Sequence, residues 1–69
     1  MFGIEWLRNR GVVETETSPL KSRSEAIASA YARAPEVSGR LMGREPDSFR
    51  LNDASGQELS VHALTSIGP

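Results

Sequence analysis

The stretch Ser22–Met42, SRSEAIASAYARAPEVSGRLM, decides the fold, because its length and periodicity predict the chain's long helix. Ser22 followed three residues later by Glu25 is a capping box, which satisfies backbone donors that a helix start otherwise leaves orphaned. Behind it Ala26, Ile27, Ala30, Tyr31 and Ala34 recur at helical spacing as one narrow apolar stripe. Five of the nine residues from Ala26 to Ala34 are alanine, the best helix former, so propensity and pattern agree. Pro35 lacks an N–H and crowds the carbonyl one turn back. The spacing therefore predicts either a kink there or a second short helix with Pro35 in its first turn. Val37, Leu41 and Met42 resume the stripe, and Gly43 is the expected stop.

Before the helix, Phe2 to Thr17 reads as a hairpin: FGIEWL, the turn RNRG, then the β-branched run VVETET. With Leu7 opposite Val12 across a four-residue loop, Trp6 meets Val13, Ile4 meets Thr15 and Phe2 meets Thr17, which leaves one face apolar or β-branched. A register shifted by one would set Trp6 against Glu14 and Ile4 against Glu16, and burying those carboxylates disfavours it. Gly11 is then expected in the left-handed position of the loop. The other face carries Glu5, Glu14 and Glu16 beside Leu7 and Val12. Like-charged carboxylates can raise one another's pKa for acid–base work, but a charge row on a wet sheet face needs no such role.

After the helix, Asp47 to Leu64 reads as a second hairpin around Ala54, Ser55 and Gly56. A type I turn closed by Gly56 sets Asp53 across from Gln57, Leu51 across from Leu59 and Phe49 across from Val61, with Arg50–Ser60 and Asn52–Glu58 on the polar side. The run D-x-x-G-x-E-L (Asp53, Gly56, Glu58, Leu59) is a turn signature that any type I hairpin can show, and it points to no family. Two hairpins, each apolar on one side, predict an α+β fold of order ββαββ: a small antiparallel sheet with one helix on one face, and Trp6, Ile4, Phe49 and Leu51 meeting Ile27 and Tyr31. Residues 1–64 make one domain and 65–69 a fraying tail.

Sixty-nine residues hold a single thin core, near the size where oligomerisation helps a fold persist. The chain has no cysteine, which removes thiolate metal sites and thiol catalysis and fits a reducing, cytoplasmic setting. No segment has the length and apolarity of a membrane span, and none has the pattern of a signal peptide. Eight basic against nine acidic residues give a net charge of −1, without the broad basic footprint of a nucleic-acid binder. The lone His62, expected on the polar face beside Ser48 and Arg50, has no companion ligands, and no serine sits in a nucleophile-elbow spacing. No catalytic, cofactor-binding or metal-ligating residue, and no small-molecule substrate, is indicated.

What the pattern favours is a non-catalytic interaction or assembly module, self-associating or bound to a protein partner. Leu7 and Val12 are candidate self-association residues, as an apolar pair on the face away from the helix next to two free sheet edges. The alternative is a weak binder of nucleic acid or an acidic partner through Arg33, Arg40 and Arg44 in the far half of the helix.

Overall fold

The computed structural model describes residues 1–64, so the fraying expected of 65–69 lies outside the described residues. Its elements are β1 (Phe2–Arg8), β2 (Gly11–Ser18), α1 (Arg23–Arg40), β3 (Ser48–Asn52) and β4 (Glu58–Ala63). All neighbouring strands are antiparallel, in the order β2-β1-β3-β4, which is the expected ββαββ sheet with one helix.

Ser22 caps α1 as its sequence predicts: its Oγ accepts from the Glu25 N–H at 3.1 Å. The helix continues through Pro35 as a single element, so the separate second helix does not form. Pro35 and Tyr31 both sit on the exposed side, where the Tyr31 carbonyl that loses its intrahelical donor can meet water. Leu41 closes the helix, its N–H bonding the Val37 carbonyl at 2.9 Å, and Gly43 follows at φ +88°, a left-handed position that suits glycine.

Ala26, Ala30, Val37 and Leu41 form the buried line of the helix against Ile4, Trp6, Phe49 and Leu51 of the two central strands. Small alanines at this line let the helix approach the bulky Trp6 and Phe49, whose rings meet at 5.6 Å. Ile27 and Ala34 pack at the margin, whereas Tyr31, expected in the core, is exposed along the flank and sets its ring edge-on to Phe49 at 5.2 Å.

Both hairpins depart from the expected register in the same way. Leu7 pairs with Val12, but a bulge follows and the rest of β2 slips by one, so Trp6 faces Glu14 and Ile4 faces Glu16. Likewise Asn52 faces Glu58 while Leu51 faces Ser60 and Phe49 faces His62. The extra residues are Val13 and Leu59, each packed against the core cluster, so each bulge gains apolar burial. The first turn also differs. Arg8 pairs directly with Gly11, and the two-residue loop puts Asn9 and Arg10 at φ 50° and 70°, so the left-handed positions fall there and not at Gly11. The second turn matches expectation: the Asp53 N–H bonds the Gln57 carbonyl at 2.9 Å and Gly56 sits at φ +92°.

Candidate functional site

The slipped register turns Glu14 and Glu16 toward α1, opposite to the sheet face expected for them. Two helix arginines meet them. Arg33 Nη1 lies 2.7 Å from Glu16 Oε1, Arg40 pairs with Glu14, and Glu36 sits between the arginines at 3.1 and 3.8 Å. The result is a ladder, Glu16–Arg33–Glu36–Arg40–Glu14, that laces the helix flank to the outer strand β2. Half-buried carboxylates with charged partners avoid most of the penalty that argued against this register. A signal for it was present, since Arg33, Glu36 and Arg40 fall at helical spacing on one flank and Glu14 and Glu16 two apart on one strand face.

The ladder also locates the arginines proposed for an anionic partner. The charges of Arg33 and Arg40 are matched by Glu14, Glu16 and Glu36, while Arg44 is exposed beyond the helix end and takes no part. Of the three, Arg33 and Arg40 are therefore held in ion pairs within the fold.

On the face away from the helix, Arg50 is the hub. Its Nε lies 2.9 Å from Glu5 Oε1 and its Nη1 3.4 Å from Glu58 Oε1 as ion pairs, and Glu5 Oε1 accepts a hydrogen bond from Asn52 Nδ2 at 2.9 Å. Leu7 and Val12 share this face, but Leu7 is only 6% exposed; the accessible apolar groups are Val12 at 47% and Val61 at 52%. Val61 joins the surface because of the Leu59 bulge, which local pairing rules did not anticipate.

The same bulge carries His62 to the helix side, not beside Ser48 and Arg50 as expected. Its ring stacks on Phe49 at 5.1 Å, and its Nε2 lies 2.8 Å from Ser60 Oγ. Ser60 and His62 are neighbours on one strand face, and the imidazole acts as a packing group with a hydrogen-bonded tip. Among the described residues no group of three side chains is placed to hold a metal ion.

Three carboxylates in the connector and the second turn, Glu45, Asp47 and Asp53, accept from backbone N–H groups. The Asn9 N–H bonds Asp47 Oδ2 at 3.1 Å, and this contact, followed in weight by the Ser48 hydroxyl among the favourable ones, holds the Asp47 carboxyl below its ordinary range. Asp53 is lowered chiefly by the Ser55 hydroxyl at 2.7 Å and then by the Gln57 N–H at 2.9 Å. Glu45 is lowered by its own backbone N–H and that of Gly43. Asp47 thereby ties the helix-to-β3 connector to the first turn, reinforced by Arg8 Nη1 donating to the Glu45 carbonyl at 2.9 Å.

The surface of the described residues includes two hollows. One of about 200 Å³ lies between the end of β2 and α1, lined by Ile4, Glu16, Ser18, Leu20, Ser29 and Arg33; the other, about 220 Å³, lies near Phe2, Thr17 and Asp53. Both are smaller than the roughly 300 Å³ at which small-molecule sites begin.

Fold and surface together define a class: a four-stranded antiparallel α+β domain with one face covered by a single helix. No protein-family model, curated protein or solved structure matches this chain. No helix among the described residues is long and apolar enough to cross a membrane.

Proposed function

We propose that this chain is a non-catalytic interaction module that self-associates. The supporting observation is one-sided cover: α1 packs on one face, while the other keeps Val12 and Val61 exposed and both outer strands end the sheet. A thin core in a chain of 69 residues also gains stability from a second copy by mass action. Contact with an anionic partner through Arg33, Arg40 and Arg44 ranks second, since carboxylates already engage two of the three. Sedimentation velocity across a concentration series into the high micromolar range tests the leading reading. A sedimentation coefficient that rises with concentration supports it, and a strictly monomeric protein throughout ends it.

A further inference from the structure

Resting on that reading, we propose that the self-association surface is the free edge of β2, which pairs antiparallel with β2 of a second copy through Thr15 and Thr17. Backbone direction identifies the free groups. The Leu7 carbonyl accepts from the Asp47 N–H at 2.8 Å, so Leu7 points its backbone toward β3. By the alternation of an antiparallel ladder, Gly3 and Glu5 do the same, while Phe2, Ile4 and Trp6 address β2. Their partners Ser18, Glu16 and Glu14 therefore spend their backbone groups on β1, and the N–H and C=O of Thr15 and Thr17 point outward.

The two outer strands are not equivalent. At β4 the residue pairing to β3 leaves Val61 and Ala63 facing outward, but the Tyr31 hydroxyl reaches over from the helix to the Ala63 carbonyl at 3.4 Å. That strand has six residues. β2 has eight, GVVETETS, with neither proline nor lysine inside it, and its bulge lies at the turn end, leaving Glu14–Ser18 regular. Native edges are commonly protected by inward-pointing charges, and Glu14 and Glu16 have that position. Here Arg40 and Arg33 neutralise them, which removes the repulsion a second copy would meet.

One register uses only the regular stretch. Thr15 pairs with the other copy's Thr17 and the reverse, so four backbone hydrogen bonds form about a two-fold axis at Glu16. Threonine pairs line the outer face. The two Glu16 side chains come together at the axis, each held by its own Arg33. The interface is short and mostly backbone, so association is weak and concentration-dependent.

Thr15→Pro removes an outward N–H that the monomer does not use and fits an edge strand. It is expected to keep the circular dichroism of the folded chain and raise the dimer dissociation constant about tenfold or more. Arg33→Gln is expected to weaken the dimer, most at low salt, and Glu16→Gln added to it to restore association. Amide exchange on the unaltered protein supplies a readout that needs no variant: Thr15 and Thr17 gain protection as concentration rises, and Val61 and Ala63 do not. If the protein dimerises while Thr15 and Thr17 exchange at a concentration-independent rate, or while folded Thr15→Pro and Arg33→Gln associate as tightly as the parent, the β2 edge is wrong and the self-association reading stands. If the parent never associates, both fall.

Discussion

At the scale of single residues, strain and hydrogen bonding concentrate in the turns. Arg10 holds φ 70°, where a side chain costs about 1–2 kcal/mol relative to glycine. Arg10→Gly relieves this at the expense of a more flexible unfolded chain, so urea unfolding should show a net gain of about 0.5–1 kcal/mol. A lower urea midpoint would contradict the two-residue turn. The lowered carboxyls of Asp47, Asp53 and Glu45 fix the sign of the acid response. Each is depressed in the fold, so its stabilising contribution is complete above the ordinary values of 3.8 and 4.5 and is lost as pH falls through the folded ones. Melting temperature followed from pH 7 downward should hold until the carboxylate range and then fall, and Asp53→Asn should lower the neutral-pH value and flatten that fall.

At the scale of elements, α1 carries one proline and a line of alanines, and each predicts a response. Pro35→Ala restores an intrahelical hydrogen bond on the exposed side and should stabilise the protein by about 2–3 kcal/mol in chemical denaturation. Ala30→Leu thrusts a larger side chain into the helix–sheet core, where Ala30 is fully buried, and should cost about 1–3 kcal/mol. A neutral Ala30→Leu would mean that the helix does not sit close over Trp6 and Phe49. The helix was legible from Ser22 and the alanine spacing because caps and stripes are local signals. Its continuity through Pro35 was not, since it depends on which way residue 35 faces once the stripe is docked.

At the scale of the whole molecule, the core is a single layer of contacts around Trp6, and such a small core supplies net stability of only about 3–5 kcal/mol. Trp6→Ala removes about as much, so circular dichroism at room temperature should find that variant largely unfolded. The ββαββ order, the single covered face and the hairpin pairs beside each turn, Leu7 with Val12 and Asn52 with Glu58, follow from the sequence alone. Hydrophobic spacing and turn chemistry act over a few residues, so a linear string displays them. Tertiary packing decided the rest: the strand order, the bulges that seat Val13 and Leu59 on the core, and the inward turn of Glu14 and Glu16. Those carboxylates tolerate the helix side because Arg33 and Arg40, more than fifteen residues away in the chain, arrive there only when α1 folds across the sheet.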